Sequence, residues 1–137
     1  MKAKNKEIRD VVSVLCGINI SKVPDLDIQT TLYDDYVLFR KIFHEVSAAV
    51  REIKEKFCEE NSEEFRVVGK LREKNLPVEG HEDFLAAEEA AVNYMSKKWD
   101  EESDVAPKLI PFNSFVECVK NDLTLEQVAI LKGFVIE

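Results

Sequence analysis

The feature that most constrains the fold is the run from Asp27 to Glu60, which contains neither glycine nor proline. Apolar residues recur along it at alternating steps of four and three, the heptad pattern of helices that pack along a seam. One seam position holds Tyr36, Phe43, Val50 and Phe57, and the other holds Leu32, Phe39, Val46 and Ile53. The pattern predicts one long helix whose apolar seam has to be covered by another helix.

The length of this helix raises the question of what covers it. The helix would span roughly 50 Å at 1.5 Å per residue, whereas a compact domain of this size has a radius of gyration of about 14 Å. We therefore expect one end to project from the core unless a partner covers it. Two alternatives stay open. A second helix from Glu82 to Asp100 could pack along the seam as an antiparallel hairpin, or the seam could pair with another copy or another protein.

Shorter elements flank the long helix. A first helix is expected from Asn5, as its capping residue, to Cys16, because Ile8, Val11, Val12 and Leu15 share one face. The segment 61–80 is rich in charge and holds two of the four glycines. Within it, 65–68 could form a short strand, and otherwise the segment is a mobile loop. Residues 105–110 alternate weakly and could form an edge strand.

Two capping-box patterns predict helix starts near the end of the chain. Ser114 with Glu117 would open a short helix, and Thr124 with Gln127 would open a terminal one. The inward-facing residues of the terminal helix would be Val128, Leu131, Phe134 and Val135. The sequence therefore predicts a mainly α fold in a single domain, 1–137. A long central helix lies in an antiparallel helical hairpin with shorter flanking helices and at most one small β-hairpin.

Composition limits the classes of partner. The chain has 45% apolar residues, enough for one core, and carries 27 acidic against 19 basic residues, a net charge of −8. An excess of acid disfavours direct contact with nucleic-acid phosphates and with an anionic membrane surface. The N-terminus lacks the apolar run of a signal peptide, and no stretch approaches the length of a membrane span. We expect a cytoplasmic protein that binds neither nucleic acid nor membrane directly.

Residues suited to catalysis are few. The three cysteines, Cys16, Cys58 and Cys118, form no CxxC pair and are expected to be reduced and mostly buried. His44 and Glu45 do not complete a zinc-binding HExxH pattern, and His81 lies among acidic residues at an expected helix start. Neither a GxSxG elbow nor a phosphate-binding glycine loop is present. The sequence predicts no catalytic residue, no metal and no cofactor.

One acidic pattern resembles a magnesium site. Glu59, Glu60 and Glu63 have the ExxE form used by all-helical nucleotide pyrophosphohydrolases, and Glu101 with Asp104 could supply the matching ExxD. That mechanism requires both sets to converge from helix interiors. Here the first set stands at an expected helix end and the second follows a helix. A solvated acidic surface is therefore the favoured interpretation.

Two sets of residues are the candidates for partner binding. Aromatic and aliphatic residues on an exposed seam would act as interface anchors. These anchors are Tyr36, Phe39, Phe43, Val46, Val50, Ile53 and Phe57. An acidic surface would consist of Glu59, Glu60, Glu63 and Glu64.

Several segments together resemble a family of small proteins from tailed phages and prophages, domain of unknown function 1617. The resembling segments are 8–15, Val23 with Pro24, the uninterrupted helix, 83–88, 123–127 and 131–137. The resemblance implies a phage or prophage origin and hence location in the cytoplasm of a host cell. It supplies no catalytic residue.

Three hypotheses of function follow. The leading one is a non-enzymatic protein-interaction module of phage or prophage origin, accessory to virion assembly, whose partner is a phage or host protein or a second copy of the chain. The first alternative is an acidic inhibitor of a host defence or nucleic-acid enzyme, which would bind a basic groove electrostatically. The second is a magnesium-dependent nucleotide pyrophosphohydrolase, the least favoured of the three.

Overall fold

The protein is built almost entirely of helices. The computed structural model describes residues 1–119 and 122–137. Its elements are β1 (Lys2–Lys4), α1 (Asn5–Cys16), a 3₁₀ turn (Ile20–Lys22), α2 (Leu26–Glu60), α3 (Ser62–Glu73), α4 (Glu82–Asp100), β2 (Glu102–Asp104), α5 (Phe112–Val119) and α6 (Leu125–Leu131). The mainly α fold predicted from the sequence is confirmed.

The long helix predicted from the heptad pattern is α2. It begins one residue after Asp25, whose carboxylate Oδ1 accepts hydrogen bonds from the backbone N–H groups of Asp27 (3.0 Å) and Ile28 (3.1 Å). These donors have no partner within the helix, so an aspartate at this position stabilises the start. Because no glycine or proline follows, the helix continues for 35 residues.

The chain forms two compact units. The first unit comprises residues 1–45 and 100–137, and the second comprises 46–99. Helix α2 therefore contributes 26–45 to the first unit and 46–60 to the second.

Helix α1 packs in the core of the first unit. Its four predicted inward residues, Ile8, Val11, Val12 and Leu15, are all buried. The capping role expected of Asn5 is wrong, because Asn5 is already the first helical residue. Its buried amide Oδ1 instead accepts a hydrogen bond of 2.6 Å from Ser103 Oγ. The side chain thus joins the start of α1 to β2.

A small sheet is present, but neither segment proposed for it lies in a strand. β1 pairs antiparallel with β2, with Ala3 opposite Ser103. Backbone hydrogen bonds extend the ladder from Val105 N to Met1 O (2.9 Å) and from Asn5 N to Glu101 O (2.9 Å). The strand proposed over 105–110 is wrong, since β2 ends at Asp104 and Ile110 makes only an isolated bridge to Ile136. The pairing joins segments about a hundred residues apart, which no local pattern could indicate.

The last two helices test the capping predictions. The start predicted for α6 is confirmed, because Thr124 Oγ1 accepts from Gln127 N (3.2 Å) and Gln127 Oε1 accepts from Thr124 N (2.8 Å). The predicted extent is wrong, because α6 ends at Leu131 and the expected helical residues Phe134 and Val135 follow its end. The prediction for Ser114 is wrong, since α5 begins at Phe112. After α6, Gly133 adopts a φ of +85°, a conformation that side chains disfavour. This turn places Val135 and Ile136 in the core.

The second unit contains the rest of α2, followed by α3 and α4. The strand or mobile loop expected over 61–80 is wrong for its first part, because residues Ser62–Glu73 are helical. The Phe57 ring lies 5.6 Å from that of Phe84 near the start of α4. Further along α4, Ala91 shares a groove with Ile53. The two helices are therefore antiparallel in this unit, as the hairpin prediction requires.

Candidate functional site: an open groove in the second unit

The first part of the predicted seam belongs to the core of the first unit. Phe39 has no exposed surface, and its ring packs edge-on against Phe134 with centroids 6.4 Å apart. Its assignment as an interface anchor is wrong, because the core covers it completely. Tyr36 and Phe43 are partly buried against the same core. These three residues support the fold of the first unit.

The second part of the seam is less well covered. Val46, Val50, Ile53 and Phe57 are all partly exposed. Ile53 and Phe57 line a groove of about 410 Å³ between α2 and α4. An apolar groove of this kind is one of the recurring arrangements by which proteins bind a helix of a partner. The structure therefore places two of the seven proposed anchors in one candidate site.

The groove combines an apolar interior with a charged rim. Across from Ile53 and Phe57 lie Ala91 and Tyr94 of α4, and the Tyr94 side chain is half exposed. The small Ala91 leaves the space that a larger residue would fill. Along the α2 side, Glu52, Lys56 and Glu60 form a stripe at four-residue spacing. This stripe is about 12 Å long, since a helix rises 1.5 Å per residue.

The proposed acidic surface lies where α2 gives way to α3. Glu59, Glu60, Glu63 and Glu64 are all exposed. Glu64 Oε2 lies 2.6 Å from Nδ1 of His81, and Glu63 lies 3.9 Å from the Arg66 guanidinium. A second pocket of about 340 Å³ adjoins this region; it is lined by Asn61, Glu64, Gly80, His81, Glu82, Asp83 and Phe84. The helix junction is therefore both acidic and concave.

An ion pair connects α3 with α4. The two terminal guanidinium nitrogens of Arg72, Nη1 and Nη2, donate to the carboxylate of Glu88, at 3.1 and 2.8 Å. The hydrogen bond from Arg72 lowers the pKa of Glu88, and the same contact raises the pKa of Arg72. A two-point contact of this kind has a fixed geometry. It fixes the relative position of these two side chains, one on α3 and one on α4.

The magnesium-site hypothesis conflicts with local structure. Glu102 to Asp104 form β2, so Glu101 and Asp104 do not share a helix interior as the ExxD element demands. Within residues 1–119 and 122–137, no group of three or more His, Cys, Asp or Glu side chains could hold a metal ion. His44 is exposed, and its Nε2 accepts from Arg40 Nε at 3.1 Å. The geometry assigns no ligand role to the residues proposed for this site.

Asp35 is the chemically unusual residue that the sequence analysis missed. Its side chain is 2% exposed, Oδ1 accepts a hydrogen bond from Lys108 N (2.9 Å), and the buried Oδ2 has no hydrogen-bond partner among the described residues. Burial, with a smaller contribution from neighbouring Asp34, raises the pKa of this carboxyl to about 6. The signal was present in the sequence, because Asp35 stands three residues after Leu32 and four before Phe39. That spacing places a carboxyl on the buried face of α2.

The cysteines are free thiols but are not buried as expected. Cys16 is exposed, and Cys58 and Cys118 are partly exposed. The Cys16 sulfur lies 3.4 Å from the Tyr36 hydroxyl, and this hydrogen bond raises the pKa of Tyr36. The expectation of burial is wrong because these side chains lie at the margins of the apolar faces.

Comparison of the chain with protein-family models, with curated proteins and with solved structures gives no match. In the part of the chain that the structure describes, no helix combines the length and apolar character needed to cross a membrane.

Proposed function

We propose that the protein is a non-enzymatic interaction module that docks a partner protein in the groove between α2 and α4. The observation that carries the proposal is the partial exposure of Ile53 and Phe57 inside an open groove with Ala91 and Tyr94. Aromatic and aliphatic side chains in such a position contribute most of the binding free energy of protein interfaces.

In its most specific form, the proposal makes the protein an accessory to virion assembly in a tailed phage or prophage. The support for this form is the resemblance of its segments to the phage family. A phage structural protein would then be the partner, bound in the cytoplasm of the host cell. The docking proposal stands independently of this origin, because it depends on the groove alone.

The test is to block the groove without disturbing the fold. Ala91→Arg places a long charged side chain inside the groove. Ala86→Arg is the matched control, since Ala86 is an exposed alanine of the same helix that does not line the groove. Both tagged variants and the wild type are used for capture from host lysate, with and without phage infection or prophage induction. Bound proteins are identified by mass spectrometry.

We expect the wild type and Ala86→Arg to capture the same partner protein and Ala91→Arg to fail to capture it. Circular dichroism of the three proteins checks that their helix content is equal. Equal capture by all three would contradict the docking proposal. If the lost protein is a phage structural protein, the virion-assembly form is supported as well.

A second candidate function is favoured by the four exposed glutamates at the α2–α3 junction. An acidic surface suits an inhibitor that binds the basic groove of a nucleic-acid enzyme electrostatically. Such binding would weaken steeply with salt, because screening at about 1 M acts within roughly 3 Å. Substitution of Glu59 and Glu63 by lysine should also weaken this binding, because it reverses the charge of the surface. Binding that persists at about 1 M salt would argue for the apolar groove instead.

A further inference from the structure

The groove and the acidic pocket of the second unit lie next to each other along the chain. The groove reaches Glu60 on α2, and the pocket begins at Asn61. Phe57 lines the groove and Phe84 lines the pocket, and the centroids of their rings lie 5.6 Å apart. An apolar surface therefore leads directly to a polar one.

The pocket carries an excess of negative charge. Three carboxylates line it, those of Glu64, Glu82 and Asp83, and Glu60 stands at the end of the adjoining groove. Glu64 contacts His81, and Glu82 accepts a hydrogen bond of 3.2 Å from Gly80 N. Among the described residues, no lysine or arginine forms an ion pair with any of these four carboxylates. A cationic group would find several acceptors here.

The dimensions of the groove match those of a helix. The stripe from Glu52 to Glu60 is about 12 Å long at the helical rise, and apolar anchors at positions i, i+4 and i+7 of a helix cover about 10 Å. Helix-in-groove recognition uses anchors at these spacings. The groove would accept about two turns of an apolar helix face, with Ala91 leaving room for the approach.

We propose that the occupant of the groove is an amphipathic helix of a partner protein that carries a lysine or arginine about one turn beyond its apolar anchors. The anchors pack on Ile53, Phe57 and Tyr94, and the cationic side chain reaches the carboxylates of Glu60, Glu64 and Asp83. This inference rests on the proposed docking function and specifies the chemistry of the partner. Apolar contact supplies most of the affinity, and the charge supplies selectivity and orientation.

The probes for the test are two synthetic amphipathic helices with the same leucine face. The basic peptide has lysines on its polar face at one end, and the acidic peptide has glutamates at the same positions. Binding to the full chain is measured by fluorescence anisotropy near physiological salt. We expect the basic peptide to bind at least about tenfold more tightly, which corresponds to about 1.4 kcal/mol.

Two lysine substitutions separate local from overall charge. Glu60→Lys places a positive charge at the end of the groove. Glu55→Lys makes the same change of net charge at an exposed position of α2 that lines neither pocket. We expect Glu60→Lys to lose most of the preference for the basic peptide and Glu55→Lys to keep it. Ala91→Arg should abolish binding of both peptides, whereas Ala86→Arg should not.

The outcomes distinguish this inference from the proposed function. Equal binding of the two peptides, or equal effects of Glu60→Lys and Glu55→Lys, overturns the inference about charge. If Ala91→Arg still loses a captured protein in that case, the docking function stands. If Ala91→Arg affects neither peptide binding nor capture, both proposals fail. If analytical ultracentrifugation shows a dimer that Ala91→Arg dissociates, the occupant of the groove is a second copy of the chain, and the inference of a basic helix is wrong.

Discussion

The two units of the protein bury their apolar residues to very different extents. In the first unit, α1, α6, residues 26–45 of α2 and the C-terminal segment all contribute to one cluster of buried side chains. In the second, whose residues 46–99 are all described, Val68 and Phe84 are the only fully buried apolar residues. Yet α2 presents the same heptad pattern to both. The heptad pattern of a helix therefore shows which face can be buried. The number of elements around that face decides how much of the face is in fact buried.

This difference assigns different roles to similar side chains. In the first unit, an aromatic residue of the α2 seam stabilises the fold. In the second unit, the same kind of residue is partly available to a partner. The docking surface that we propose in the second unit can therefore stay apolar without being needed for the core of the first unit.

The largest expected effect comes from truncating one seam aromatic in each unit. Phe39→Ala removes a completely buried ring and should lower the free energy of unfolding by about 3–5 kcal/mol. Phe57→Ala removes a partly exposed ring and should lower the free energy of unfolding by about half that amount. Urea unfolding followed by circular dichroism measures both values. Equal losses would contradict the contrast between the two units.

The same experiment bears on the expectation of a single domain. Trp99 is the only tryptophan and is the last residue of the second unit, so its fluorescence follows the environment of the end of α4. If Phe39→Ala shifts the fluorescence and circular dichroism transitions equally, the two units unfold together. Separate shifts would divide the chain into two cooperative units.

The next effect concerns pH and belongs to the first unit. The carboxyl of Asp35 has a pKa of about 6 in the folded protein against an ordinary 3.8, so the folded state binds the proton more tightly. Its contribution to stability is therefore fully present below about pH 4 and is lost as pH rises through 6, in total about 3 kcal/mol. Asp35→Asn should remove this dependence. Asp34→Asn, at the exposed neighbouring position, should reduce it only slightly, because Asp34 makes a smaller contribution than burial to the raised pKa of Asp35.

The measurement is the free energy of unfolding of the three proteins from pH 4 to 7. The difference between wild type and Asp35→Asn should change over this range by most of the amount given, in favour of the variant as pH rises. A constant difference across this range would show that the buried carboxyl titrates normally.

A smaller effect, of opposite sign, is expected in the second unit. Gly69 lies inside α3, and a methyl group there would meet no atom within 4 Å. Gly69→Ala should therefore stabilise the unit by roughly 0.5–1 kcal/mol, because alanine is the better helix former. The midpoint of the Trp99 fluorescence transition measures the gain. Destabilisation would mean that α3 needs the glycine for a reason other than space.

The smallest effect should come from the ion pair between α3 and α4. A double-mutant cycle with Arg72→Gln and Glu88→Gln isolates their coupling. Because both side chains are substantially exposed, we expect a small coupling that decreases further with added salt. A coupling as large as the loss from Phe57→Ala would mean that charge, and not apolar contact, holds the second unit together.

Much of the local structure was predictable. The extent of α1, the course of α2, the extent of α4 and the start of α6 at Thr124 follow from periodicity and capping, which act between residues a few positions apart. Helix α3 was missed because Phe65, Val67 and Val68 favour a strand locally, and Gly69 weakens a helical assignment. Packing near Phe84 outweighs those preferences, and only the folded unit supplies it.

The candidate site was predictable only in part. Periodicity placed Ile53 and Phe57 on the same face as Phe39, and it did not show that Phe39 would be enclosed while the other two stayed accessible. The groove also depends on Ala91 and Tyr94, which come from a different part of the chain. Asp35 could have been noticed from its position between Leu32 and Phe39, but the proximity of Lys108 could not.

The sequence by itself therefore determined the helical class, the long helix and the apolar face of that helix, because hydrogen bonding and side-chain spacing within a helix are local. Tertiary structure alone decided which part of that face is covered, which strands pair and that the carboxyl of Asp35 is buried. Each of these depends on the meeting of segments far apart in the chain. Burial is a property of all the elements around a residue, and for Phe39 and Phe57 those surroundings differ although their sequence pattern is the same.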